Sequence, residues 1–393
     1  MRVIPRVQAL PLVDFSVCSA LGGDARETLA GLSRGASPLR APPLDLPFET
    51  VCGLVPRLDA LPASLSGFES PVARIVARLY EDLAASISAT VARWGGDRVA
   101  VILGTSVGGL SVTEAALAHE ARRGALPEGY DLRRQHGLFA AGELLAALSG
   151  ARGPRYTVST ACSSGAKVFA SAARLIRAGV VDAAIVGGVD SLCQTTLRGF
   201  HALSVLASDP CRPFSAERRG MNLGEGGALF ILARGGEGPA RLLGVGESGD
   251  AHHMSSPHPE GAGAAAAMRG ALAQAGLGAA DVDHVNAHGT GTRKNDGIEA
   301  SAIASVLGRE VPVVSTKALT GHTLGAAGAL EAAFALFALR EGWIPGSLGA
   351  APLDPEVSIR VCAERTALRC AVVMSNSFGF GGSNASALFG GPT

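Results

Sequence analysis

The chain has 393 residues with 34 basic and 34 acidic side chains, so its formal charge is zero; 47% of residues are hydrophobic and 17% charged. That is a globular composition with ample apolar material for a large core, and the length suits two or three domains or one fold built from two halves. Balanced charge excludes a basic footprint for nucleic acid and an acidic tail. Seven cysteines, an odd number without a CxxC pair, argue against a disulfide framework or a zinc site and fit a reducing, cytoplasmic setting. No uncharged apolar run approaches the ~20 residues of a membrane span. The apolar start, residues 1–20, is interrupted by Asp14 and two prolines and reads as strand rather than export signal.

Short β-rich runs alternate with small-residue amphipathic helices, which predicts an α/β chain. Residues 35–70 are proline-rich and weakly periodic, and read as a loop-rich cap. "RVAVILGTS" (98–106) and "YTVST" (156–160) read as strands, "AKVFASAARLIRAG" (166–179) as a helix closed by Gly179, and "DAAIVGGVD" (182–190) as a further strand. "ARGGEGPAR" (233–241) is a charged Gly/Pro break that divides residues 1–234 from 235–393. Beyond it, "VDHVNAH" (282–288) and "VPVVST" (311–316) read as strands around a helix at 296–308. "LGAAGALEAAFALFALREG" (324–342) is a helix apolar almost all round and therefore buried. Strands at 371–378 and 384–390 close the chain. Both halves repeat strand, Gly/Ser/His-bearing turn and helix, as an ancient duplication would.

Cys162 lies where a strand ends and a helix begins at Ser163 or Ser164. A thiol there sits at the positive end of the helix dipole, which favours thiolate and nucleophilic use. A small buried cysteine fits the same local pattern. His288, in "NAHGTGT", follows a strand, and His322, in "STKALTGHTLGAAGA", precedes a buried helix; two histidines flanked by Gly and Thr form a candidate constellation. Glu331, inside the apolar helix, needs a partner, which Lys317 or an ion would supply. His252, His253 and His258 lack a carboxylate or cysteine at ligand spacing, so no metal site is expected there. "GFGGSN" has no downstream acidic residue after a βα crossover and is not a dinucleotide fingerprint.

Taken together, "TACSSGA", "NAHGTGT", "STKALTGHTLGAAGALEA" and "SNSFGFGGSNAS" resemble the motif set of the β-ketoacyl-[acyl-carrier-protein] synthases, over about residues 14–390. The resemblance implies a thiolase-like duplicated fold with αβαβα layers, a nucleophile half (1–234) and a histidine half (235–393). It implies decarboxylative condensation of an acyl thioester with malonyl-acyl-carrier protein, in fatty-acid or polyketide elongation, aryl polyenes among the latter. Cys162 resembles the acyl-accepting nucleophile, and His288 and His322 the pair that promotes decarboxylation. Lys317 and Glu331 resemble their supporting pair. Phe380 resembles the gate whose N–H, with that of Cys162, forms the oxyanion hole. Thr290 and Thr292 resemble the threonines that bind phosphopantetheine, and Val107 falls in the acyl tunnel. No bound cofactor or metal is implied, because acyl-carrier protein delivers the substrates. A homodimer, or a heterodimer with a related synthase-like subunit, is implied as well. Ser215, Arg219 and Met221 stand where Asp, Asp and Phe are usual, which brings Met221 into the acyl pocket; Lys294 adds charge near the pantetheine entrance. A chain-length-factor-like partner subunit is the alternative, disfavoured by Cys162. A Cys–His hydrolase would instead need one histidine with an Asn or Asp orienter.

Overall fold

A computed structural model describes residues 8–392; the first seven residues of the apolar start lie outside it. In chain order the first half contains β1 (Leu10–Cys18), α1 (Ala25–Arg34), α2 (Pro71–Trp94), β2 (Val99–Gly104), α3 (Leu110–Arg123), α4 (Ala140–Ser149), β3 (Arg155–Val158), α5 (Ser164–Arg177), β4 (Ala183–Asp190), α6 (Gln194–Ala202) and β5 (Gly226–Ala233). The second contains β6 (Ala240–Gly249), α7 (Ala262–Ala275), β7 (His284–Asn286), α8 (Arg293–Leu307), β8 (Val313–Val314), α9 (Lys317–Thr320), α10 (Ala327–Glu341), β9 (Trp343–Ile344), β10 (Thr366–Ala367), β11 (Val372–Gly379) and β12 (Ser383–Gly390).

The main sheet runs β3-β2-β4-β5-β1-β6-β12-β11-β7-β8. Five strands of one half are followed by five of the other in the same arrangement. Among the described residues, the two sets pair with one another where Leu10, Pro11 and Leu12 meet Leu242, Arg241 and Ala240. α5 and α10 pack between the two sets, α2 and α4 cover one outer face, and α7 and α8 cover the other. This is the thiolase-like αβαβα layering, with residues 35–70 as an irregular cap holding one 3₁₀ turn at Ala63–Phe68.

Strand patterns follow from burial on both faces. In β4, Ala184 and Val186 face the central helices while Ala183, Ile185 and Val189 face α2. α2, whose pattern was not singled out in the sequence, is capped by Ser70, which accepts the Ala73 N–H (3.1 Å), and has Pro71 in its first turn. Val72, Ile75, Val76, Leu79, Leu83 and Ile87 form its buried stripe. Where α5 crosses α10, a Cβ on Gly165 would fall 2.8 Å from Ala329 N, and one on Gly328 would fall 2.6 Å from Ala166 N. Glycine at both positions lets the two backbones touch. α10 is buried from Ala327 to Ala338, and each large apolar side chain there, such as Leu330, Phe334 or Phe337, contributes about 1.5–3 kcal/mol. The 311–316 strand shrinks to the two residues of β8, because Ser315 and Thr316 turn the chain into α9.

Candidate active site

Cys162 occupies a strained elbow between β3 and α5. Ala161, the residue before it, has φ 50°, a left-handed conformation that non-glycine residues seldom adopt. The Ser164 hydroxyl locks the turn by accepting the Thr160 N–H (2.9 Å) and donating to Ala161 O (2.6 Å). The thiol is buried, with Sγ 2.9 Å from His322 Nε2. Burial pushes it up to about 11, against the lowering influence of the Lys317 charge and of hydrogen bonds from the backbone N–H groups of Phe380 and Cys162. Desolvation is thus the largest influence on the thiol, and His322 Nε2, 2.9 Å away, is placed to take its proton.

His288 follows β7. Its N–H and that of Gly289 donate to the two carboxylate oxygens of Glu299 (2.8 and 2.7 Å). His322 lies between α9 and α10, with its ring 5.2 Å from that of His288 at 84°. Burial, and after it the positive charge of Lys317, hold both histidines well below the usual imidazole range, so both are neutral at pH 7. Lys317 Nζ donates to the carbonyl of His288 and to Glu331 Oε1 (2.5 Å). Desolvation raises Glu331 and Glu299 each to about 7. The sequence-predicted residues Cys162, His288, His322, Lys317 and Glu331 are thus gathered into one buried cluster.

They lie under a cavity of about 470 Å³. Cys162, His288, His322, Phe380 and Met221 line its inner part; Thr290, Thr292 and the exposed Arg219, Arg293 and Lys294 line its mouth. Thr290 and Thr292 hydroxyls are 2.9 Å apart. Val107 is not among the residues lining this cavity; its N–H donates to Asp190 (3.1 Å), and its side chain shares a buried cluster with Leu192, Leu197, Leu324 and the cavity-lining Met221. Phe200, near the end of α6, was missed: it lines the cavity and stacks on Phe380 at 5.6 Å. No motif contains it, and only its place in an apolar helix face hinted at burial. Ser215 faces away, donating to Pro352 O (3.1 Å).

The ligand atoms of Cys162, His288 and His322 lie within 4.8 Å of one another, near enough for a transition metal to bridge. The Lys317 charge, strong enough to depress both histidines, opposes a cation there. Asn286 Oδ1, Glu331 Oε2 and Ser375 Oγ are buried oxygens without a hydrogen-bond partner. No helix among the described residues is long and apolar enough to cross a membrane.

Comparison with known proteins agrees with this geometry. Residues 65–237 match the model of the beta-ketoacyl synthase N-terminal domain, and residues 239–351 that of the C-terminal domain. The chain is 37% identical over 317 residues to 3-oxoacyl-[acyl-carrier-protein] synthase 2 of Rhizobium meliloti (strain 1021), covering 73% of this chain and 72% of that protein. It is 38% identical over 304 residues to nodulation protein E of Rhizobium sp. (strain N33), covering 73% and 74%. It also superposes, with TM-score 0.92 and 36% identity over 100% of both chains, on a solved complex of a ketosynthase with its chain length factor from Xenorhabdus doucetiae. With both family domains in order and a buried cysteine, two histidines and a cavity gathered between the two halves, the chain belongs to the beta-ketoacyl synthases, acyl-transferring enzymes that condense carrier-bound acyl and malonyl thioesters.

Proposed function

We propose that Cys162 is the acyl-accepting nucleophile and that His288 and His322 drive malonyl decarboxylation. The observation that carries this is the 2.9 Å Sγ–Nε2 contact beneath a cavity into which the Phe380 N–H also points. As Sγ attacks the acyl thioester, His322 takes the thiol proton and returns it to the departing pantetheine thiolate. The tetrahedral oxyanion rests on the Cys162 and Phe380 N–H groups. Malonyl thioester then enters, with neutral His322 now carrying its proton on Nε2 rather than Nδ1; the malonyl C–C bond breaks, CO2 leaves, and the electron pair forms an enolate whose oxygen accepts from the neutral imidazole N–H groups of His288 and His322. The enolate carbon attacks the acyl carbonyl, and collapse expels the Cys162 thiolate, which takes up a proton from solvent to restore the thiol, leaving a 3-oxoacyl thioester. Lys317 and Glu331 hold the charge pattern, Thr290 and Thr292 bind the pantetheine arm, Phe380 gates the site, and Met221 bounds the acyl pocket.

Residues 1–234 act as the nucleophile half and 235–393 as the histidine half. The enzyme works in the cytoplasm with acyl-carrier protein, in fatty-acid or polyketide elongation. It does so as a homodimer or with a related synthase-like subunit. Support for a partner comes from the sheet edge at β3, beside which Leu132, Leu138, Phe139 and Tyr156 are exposed. The decisive experiment incubates the protein with acyl-carrier thioesters and weighs it intact. An acyl adduct on Cys162, absent from Cys162→Ala, supports the reading; adduct formation by Cys162→Ala would overturn it. Light scattering, alone and with a co-expressed synthase-like subunit, tests the assembly.

A further inference from the structure

We propose that Gly53, in the cap, is a positioning residue for His322, so that the cap belongs to the catalytic scaffold. The argument rests on the reading of His322 above, but the contacts themselves are backbone geometry. Three extended segments lie side by side. Gly53 bridges Gly224, and Leu223 bridges His322, both in parallel sense. The Gly53 N–H donates to Leu223 O (3.0 Å), and the Glu225 N–H donates to Gly53 O (2.9 Å). On the other side, the His322 N–H donates to Asn222 O (2.7 Å), and the Gly224 N–H donates to His322 O (3.0 Å). His322 therefore hangs from residues 222–224, and that segment is clamped by the cap.

A second set of contacts acts on His322 from its own chain. The Thr320 carbonyl, two residues before it, lies against the Cα atoms of Gly53 and Gly224, and a Cβ on either would penetrate Thr320 O. Ser37, also in the cap, donates its hydroxyl to Ala318 O (2.7 Å). The cap thus touches the Lys317–His322 segment twice. The cap strand is itself anchored, since half-buried Glu225 accepts the Val55 N–H (3.2 Å) and the Leu192 N–H (3.4 Å). A methyl group at position 53 has to move either this ladder or the Thr320 carbonyl. Both lead directly to an imidazole whose contact with Cys162 depends on its position to within about 0.5 Å.

The test compares Gly53→Ala with Gly238→Ala, where a Cβ would penetrate Leu12 O as deeply but in the linker between β5 and β6. Three readouts are taken: malonyl-carrier decarboxylation, acylation of Cys162, and iodoacetamide alkylation of Cys162 against pH. In Gly53→Ala, kcat for decarboxylation falls about tenfold or more with KM unchanged, and acylation falls less. The alkylation profile moves to higher pH, because Nε2 no longer takes the thiol proton. Gly238→Ala changes none of these. A folded Gly53→Ala with the wild-type ratio of half-reactions and an unmoved profile overturns the proposal. If Gly53→Ala does not fold, Ser37→Ala decides. It only deletes a hydroxyl, and a selective two- to threefold loss of decarboxylation (order of magnitude from misplacement) supports positioning, whereas unchanged half-reactions and profile overturn it. The alkylation profile reads the Cys162–His322 contact directly. If His322→Ala left decarboxylation intact, the functional reading would fail while the profile still tested the clamp.

Discussion

Ala161 and Leu324 have nearly the same left-handed backbone, φ 50° and 51°, and each stands four residues before a glycine, Gly165 or Gly328, at the α5–α10 crossing. Position for position, Cys162 in the first half corresponds to Gly325 in the second. At the second elbow the Asp190 carboxylate accepts from the N–H groups of Gly325 (2.7 Å), Ser106 (2.9 Å) and Val107 (3.1 Å) and from the Thr105 hydroxyl (2.5 Å). At the first elbow the backbone N–H groups of Cys162 and Phe380 converge on the thiol. An elbow ahead of a helix gathers backbone donors and attracts negative charge. One copy fills that cradle with the chain's own carboxylate; the other holds none, which is where the proposed reaction would place the substrate oxyanion. The halves also differ in what they bury: β2 is wholly apolar, whereas its counterpart β7 carries buried His284 and Asn286, and Glu299, Lys317, His322 and Glu331 lie buried in the same half.

The largest expected effect breaks the asymmetry of the elbows. Cys162→Ala should lower condensation by about 10⁴-fold or more. Adding Gly325→Cys should not restore it, since a Cβ there meets Ser106 N at 2.6 Å and Asp190 Oδ2 at 2.7 Å. Turnover and intact mass check both, and an acylated double variant would show the elbows to be interchangeable.

Next in size, His288→Ala and His322→Ala should each slow decarboxylation by about 10²–10³-fold, the loss typical of one oxyanion donor. Cys162→Gln should retain that half-reaction. Equal loss of both half-reactions in all three variants would contradict the division of labour between the halves.

The contrast in buried charge predicts acid lability on the histidine side. Burial lowers His284 from 6.5 to about 4. The unfolded chain therefore binds a proton below pH 6.5 that the folded chain refuses, and stability present above that value is lost as pH falls towards 4. The loss attributable to this group is about 3 kcal/mol. Denaturant midpoints at pH 7 and pH 4.5 should show a smaller drop for His284→Asn than for wild type.

Met221→Phe should narrow the inner cavity and shift the relative kcat/KM of neighbouring acyl lengths by about tenfold, in graded fashion. An unchanged ranking would place Met221 outside the acyl path. Smallest is the mouth: Lys294→Glu or Arg219→Glu should raise KM for the carrier-bound substrate about threefold at low salt, with kcat unchanged and the difference vanishing at high salt, if these cations meet negative charge on the carrier or its phosphopantetheine.

Sequence alone determined the alternation of strands and helices, the buried character of α10 and the elbow around Cys162, because these depend on neighbouring residues and their spacing. The four motifs also made the family and the catalytic candidates readable. Helix α7, "AGAAAAMRGALAQA", escaped notice because alanine gives little contrast between a buried and an exposed face. Only the tertiary structure decided that Val107 packs with Leu192, Leu197 and Met221, that Phe200 stacks on Phe380, and that Gly53 of the cap lies against the carbonyl of Thr320. It also set the thiol in a buried site whose desolvation opposes the Lys317 charge. Each of these depends on distances between segments far apart in the chain: Cys162 and His322, 160 positions apart, meet at 2.9 Å because α5 and α10 cross at two glycines. Local periodicity carries no record of such a crossing, since it is set by the packing of two sheets on a shared helical layer.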